Sequence, residues 1–258
     1  MPNPPVAAAP KDRRFDFTLE RAAYPLCLGR EPLVKELDRL LFEETRTWVV
    51  LSGAPGRGKS ALISTYLGHL EAASSEARPG LLSRLFGGKK APAQVRRFAY
   101  HFLSPRLPGA TQPEAVARSL CEQLAAMYAL PDTTAPDAAP VERLSELLSQ
   151  VSQSVLVPQG QRLILVLDGL DEAEGAELEN PLPRILPESL PAGVSVLCTT
   201  RPTEPHLPWL LQRQSQHLDL DAPGFAAQNA AAVEASWRHI GASLSLPPQL
   251  LTELARIA

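Results

Sequence analysis

The sequence predicts an α/β fold in which a mostly parallel sheet lies between two layers of helices. Three observations carry this. Short apolar runs recur at Trp48–Leu51, Leu163–Leu167 and Val194–Cys198, and segments with helical spacing of apolar residues separate them. Unbroken runs of this kind suit strands buried on both faces, as parallel strands are. Each run then ends in glycine-rich or polar sequence, at the edge where open α/β sheets present ligands.

Residues 1–22 open with Met-Pro-Asn-Pro-Pro and become charged at Lys11–Arg14, without a basic segment ahead of an apolar core. They read as a flexible N-terminal arm, not a signal peptide. Leu26-Cys27-Leu28-Gly29-Arg30-Glu31-Pro32 then leads into a helix with Val34, Leu37, Leu40 and Leu41 on one face. Pro32 suits its first turn, and Glu31 sits at the positive end of the dipole.

After the strand Trp48–Leu51 comes Gly53-Ala54-Pro55-Gly56-Arg57-Gly58-Lys59-Ser60, which fits G-x-x-x-x-G-K-[ST] at every position. Ala61, Leu62, Ile63, Tyr66, Leu67 and Leu70 continue at helical spacing. Strand, glycine loop and helix is the geometry of a phosphate-binding loop. Its glycines let successive N–H groups converge on one concavity, and the helix start adds unpaired amides and a positive dipole end. Lys59 is expected to reach the β- and γ-phosphates, and the Ser60 hydroxyl to ligate Mg²⁺.

Residues 74–93 lose all periodicity and read as an exposed insertion. Their basic residues Arg78, Arg84, Lys89 and Lys90, interleaved with Leu81, Leu82, Leu85 and Phe86, suit either a solvated loop or a docking segment. A second strand spans 94–103, and Thr111-Gln-Pro-Glu114 fits a capping box that opens a helix through Val116, Leu120, Leu124 and Met127. A Pro/Asp/Thr linker at 131–140 precedes a further helix with Leu144, Leu147, Leu148, Val151 and Val155.

The second chemical centre is Arg162-Leu-Ile-Leu-Val-Leu-Asp168-Gly-Leu-Asp171-Glu172. A buried strand ending in aspartate delivers a carboxylate to the sheet edge. Asp168 is expected to hold Mg²⁺ opposite Ser60, and Asp171 and Glu172 to orient or deprotonate the attacking water. They could equally cap the next element. The strand Val194–Cys198 runs on to Thr199, Thr200, Arg201 and Pro202, which would face the phosphates if it lies beside the first strand. A shorter strand is expected at His217–Leu220, and helical spacing resumes at 222, with a last helix from Pro247. The domains expected are therefore the arm, a nucleotide-binding unit over 23–221, and the start of a helical lid over 222–258, cut off inside a helix.

With 258 residues, 45% of them hydrophobic, the chain can bury a sizeable core. A net charge of −3 argues against wholesale nucleic-acid binding. Cys27, Cys121 and Cys198 are widely spaced, which suits reduced thiols in a cytoplasmic setting. No apolar run approaches a membrane span.

Taken together, Gly29-Arg30-Glu31, Gly53–Ser60, Leu163–Glu172 with its Asp-Gly-Leu-Asp-Glu ending, and Val196–Pro202 resemble the STAND class of P-loop ATPases, and within it the NACHT group. The resemblance covers about residues 24–258 and implies a five-stranded parallel sheet of order 5-1-4-3-2. It implies an ATP/ADP switch with Mg²⁺ that controls oligomerisation of a signalling or defence protein, as in innate immunity. The partners implied are further copies of the chain and a ligand sensed by a C-terminal region, with no nucleic acid. By the same resemblance Arg201 would be a sensor arginine on the γ-phosphate, and Leu28, Gly29 and Arg30 would border the adenine or ribose.

Three other readings share these motifs. An AAA-type machine acting on DNA or protein would usually carry its acidic pair directly at the strand end, whereas Gly169 and Leu170 intervene here. A P-loop kinase would need an arginine-bearing lid and an acceptor pocket. An ADP-locked scaffold would leave every motif unchanged.

Overall fold

In the computed structural model, which describes residues 15–23, 29–44, 47–76, 96–130, 139–176, 178–213 and 215–243, the apolar runs become the central strands of one sheet. The chain enters through α1 (Thr18–Ala22) and α2 (Glu31–Asp38), the latter extended by a π-turn at Arg39–Glu43. Strand β1 (Trp48–Ser52), α3 (Lys59–Glu76), β2 (Arg96–Phe102), α4 (Pro113–Tyr128), α5 (Pro140–Val151) and the short α6 (Val157–Gln159) follow. The second half holds β3 (Arg162–Asp168), α7 (Leu182–Ile185), β4 (Val194–Thr200), α8 (Leu207–Leu211), β5 (Gln216–Asp219) and α9 (Ala226–Ser243).

The strands lie in the order β2-β3-β4-β1-β5, and every neighbouring pair is parallel. Read from the other edge this is the expected 5-1-4-3-2. Val50 sits opposite Cys198, and Leu165 opposite Val196, so β4 is clasped between β1 and β3. Successive side chains point to opposite faces. Trp48, Val50, Leu163, Leu165, Leu167, Val196 and Cys198 pack with α4, α5, α7 and α8. Val49, Leu51, Ile164, Val166 and Leu197 pack with α2 and α3. Both faces are covered, which is why the runs are continuous and not alternating. Each buried Leu, Ile or Val contributes about 1.5–3 kcal/mol of transfer free energy.

Three local expectations differ. Residues 15–22, assigned from the sequence to the flexible arm, include α1, and Phe17 is buried against the α3 face. The capping box does not form. Pro113 takes the first helical position, Gln112 precedes it without a side-chain cap, and Glu114 pairs with Arg184 at 2.8 Å. Proline's fixed φ sets the helix start one residue beyond where Thr111 could cap it. Helix α3 also runs to Glu76, into the start of the expected insertion. The remainder of that insertion with its basic and apolar residues, most of the linker, Leu28, and the helix from Pro247 lie outside the described residues. No described helix is long and apolar enough to cross a membrane.

Candidate functional site

The three central strands end on the same edge, and the sequence-predicted site residues meet there. Between β1 and α3, the loop Gly53–Gly58 curls with Gly56 at φ +82° and Gly58 at φ +78°. A Cβ built on either glycine would meet nothing within 4 Å, so the loop borders open space. Lys59 Nζ, half-buried at the base, donates to the carbonyls of Gly53 at 2.5 Å and Ala54 at 3.2 Å. Burial lowers its pKa, which the carboxylates of Asp171 and Asp168 partly offset. Ser60 and Ala61 form the first turn of α3.

The loop is pinned from two sides. Asp221, just past β5, accepts the Ala54 N–H at 2.6 Å and Arg57 Nε at 2.5 Å. These donors hold the Asp221 carboxyl below the usual range. Arg30 Nη2 donates to the Arg57 carbonyl at 3.0 Å. Beside it Gly29, at φ +72°, lies against α9. A Cβ there would stand 3.0 Å from the Ala232 Cα and 3.1 Å from its nitrogen. The Gly29-Arg30 pair therefore joins the phosphate loop to α9, and Leu28 before it is outside the described residues.

At the end of β3, Asp168 is 5% exposed, and burial raises its pKa against the pull of the Thr199 and Ser60 hydroxyls bonded to it. Thr199 Oγ1 donates to Asp168 Oδ1 at 2.7 Å and accepts the Gly169 N–H at 2.8 Å, tying β4 to the acidic turn. Gly169, at φ +84°, starts a 3₁₀ turn at Leu170–Glu172. A side chain at 169 would crowd the Leu103 carbonyl at 3.2 Å. Leu170 is fully buried, which turns Asp171 and Glu172 towards the loop.

Arg201, at the end of β4, binds both acids. Its Nε stands 2.7 Å from Asp171 and its Nη2 2.7 Å from Glu172. The resemblance assigned this arginine to a γ-phosphate. The partners here are the acidic pair itself. Thr200, expected to face the phosphates, turns away and bonds His206 Nε2 at 2.7 Å. Burial pushes His206 down to about 4, so it is neutral at pH 7.

A cavity of about 270 Å³ opens between these groups, walled by Gly56, Lys59, Ser60, Asp168, the acidic pair, Thr199 and Arg201. Of its remaining wall, Phe102–Arg106 and Glu20 were not foreseen, and neither was Asp221. None belongs to a motif, and Asp221 reaches the loop across 167 residues of chain.

The family described as AAA ATPase domain (AAA_16) matches residues 26–209. No curated protein matches the chain. Among solved structures, the Aeropyrum pernix ORC1 protein in complex with DNA is 18% identical, with a TM-score of 0.46, over 83% of this chain and 55% of that one. Cdc6p from Pyrobaculum aerophilum is 14% identical, with a TM-score of 0.40, over 79% and 49%. Drosophila ORC bound to DNA is 15% identical, with a TM-score of 0.46, over 100% and 70%. The chain thus spans about half the length of the first two.

These matches bear on two expectations. The family found is the AAA ATPase domain, and the narrower NACHT and STAND resemblance receives no support from it. The gap of Gly169 and Leu170, which had counted against an AAA-type domain, is closed by the 3₁₀ turn that brings the acidic pair back to the cavity. The expected partners were further copies, a ligand sensed C-terminally and no nucleic acid; against the last of these, two of the similar solved structures are complexes with DNA. A net charge of −3 is a whole-chain sum and carries no information on local binding surfaces.

Proposed function

The chain belongs to the AAA ATPase domain family, and on that premise we propose that it couples Mg²⁺-dependent ATP hydrolysis to work on nucleic acid or protein. One observation supports this best: the phosphate loop, the buried Asp168, the acidic pair and Arg201 all border one cavity. The residues present fit a nucleoside triphosphate and its metal. The loop surrounds open space at Gly56 and Gly58, Lys59 stands at its base, and Ser60 and Asp168 bring two oxygens together. Mg²⁺, when bound there, neutralises charge on the phosphates.

The remaining chemistry belongs to the chain. The loop amides from Gly53 to Ala61 and the α3 dipole bind anionic oxygens. Lys59 exchanges its two carbonyl partners for phosphate oxygens. Of Asp171 and Glu172, one accepts the proton of the attacking water and the other orients that water, once Arg201 lets go of them. The Arg201 pairing also favours a second reading, an ADP-held switch of slow turnover, in which the arginine keeps the acids out of action until a γ-phosphate draws it away.

Single-turnover hydrolysis by wild type and by the double variant D171N/E172Q, with and without duplex DNA, tests both. The double variant should keep nucleotide binding and lose about 10²-fold or more in rate. Hydrolysis that survives the double change contradicts the acidic pair's role. Turnover raised by DNA favours the machine, and slow turnover indifferent to DNA and to an unfolded protein favours the switch.

A further inference from the structure

One wall of the cavity comes from the start of the chain. Glu20 of α1 lines it beside Ser104 and Arg106, and the residue is only 8% exposed. Its Oε1 accepts the Ser104 hydroxyl at 3.2 Å, while Oε2 is buried and meets no donor among the described residues. A carboxylate oxygen removed from water without a donor is costly. The cost is recovered if a donor arrives with the ligand.

The surroundings say which donor. Arg21 forks onto Glu71 of α3 at 2.6 and 2.8 Å and stands 5.6 Å over the Tyr100 ring. Phe17 is buried in the core beneath α3. These contacts fix α1 to the α3 side of the sheet. Ser60 stands at the N-terminus of α3, and its hydroxyl is bonded to Asp168. Glu20 therefore shares the wall of one cavity with the two oxygens assigned to the metal. Arg201, by contrast, already occupies the acidic pair.

We propose that Glu20 is an outer-shell acceptor for the metal, its free oxygen receiving hydrogen bonds from water retained by Mg²⁺ at Ser60 and Asp168. The inference rests on the nucleotide reading above. Mg²⁺ dehydrates reluctantly and keeps several waters when only one or two protein groups hold it. A carboxylate that receives those waters raises metal affinity without touching the ion. Because Glu20 lies on α1, metal binding becomes linked to the segment ahead of α2.

The test is ADP affinity, by calorimetry, across a Mg²⁺ series and in EDTA, for wild type, E20Q and S60A. E20Q should bind ADP normally in EDTA, while the Mg²⁺ concentration giving half the tightening rises about tenfold. Its nucleotide-free Tm should equal or exceed that of wild type, because a neutral amide costs less to bury than a carboxylate. A residue that merely braced the fold would lower the Tm and weaken ADP equally with and without metal, and that result overturns the proposal. A shifted midpoint in S60A with none in E20Q removes Glu20 alone. If neither variant moves the midpoint, the Ser60–Asp168 metal site is wrong and the role of Glu20 falls with it. A normal Mg²⁺ midpoint in E20Q with slowed hydrolysis would place Glu20 on the attacking water and not in the metal shell.

Discussion

Arg201 holds the two carboxylates that we propose act on the attacking water. Each contact is 2.7 Å, yet the side chain is 40% exposed, so solvent screens the pairs and leaves them exchangeable. A γ-phosphate offers the same planar fork a richer negative charge, and ADP lacks that group. R201A should therefore weaken ATP by about 1.5–3 kcal/mol and leave ADP nearly unchanged. Titration of both nucleotides against both proteins decides this. Equal losses would mean that Arg201 supports the fold or the shared phosphates. At this scale the motif residues were legible because their chemistry needs fixed spacing: Gly53–Ser60 is one turn, and Asp168–Glu172 one strand end. Asp221 and Glu20 were not. A lone aspartate after a short strand, or a lone glutamate near the N-terminus, carries no pattern; the sheet order brings Asp221 to the loop, and the packing of the segment around Phe17 brings Glu20 to Ser104.

At the scale of elements, the site depends on how neighbouring segments grip the phosphate loop. Arg30 holds its carbonyl, Asp221 its amide and guanidinium, and Gly29 lets α9 pack so close that a Cβ there would lie 3.0 Å from the Ala232 Cα. G29A would add a methyl against the α9 backbone at a left-handed φ, with an expected cost of about 1–3 kcal/mol in urea unfolding. A neutral effect would show that α9 gives way without penalty. The sequence placed Gly29 at a nucleotide border, because its position ahead of a helix says nothing of the helix about 200 residues on that it touches. The strands β1, β3 and β4 were legible as uninterrupted apolar runs. The start of α4 was misjudged because the Thr-x-x-Glu spacing competes with a proline that prefers the first turn.

At the scale of the molecule, the parallel strands were legible as buried apolar runs, while their order was what the family resemblance implied, and the sheet has it. Partners were not legible. They depend on surfaces, and composition averages surfaces away. The central claim is that the edge of this sheet binds ATP through its phosphate loop, and folding stability reports it directly. At about 100 times the dissociation constant, a ligand stabilises the native state by about 2.7 kcal/mol. For a domain of this size that raises the Tm by about 5–10 °C. Thermal unfolding of wild type and K59A with and without Mg²⁺-ATP is the measurement. Wild type should gain that shift and K59A should lose it while keeping its nucleotide-free Tm, because Lys59 is the cation at the base of the loop. An equal shift in K59A, or none in wild type, would contradict the account.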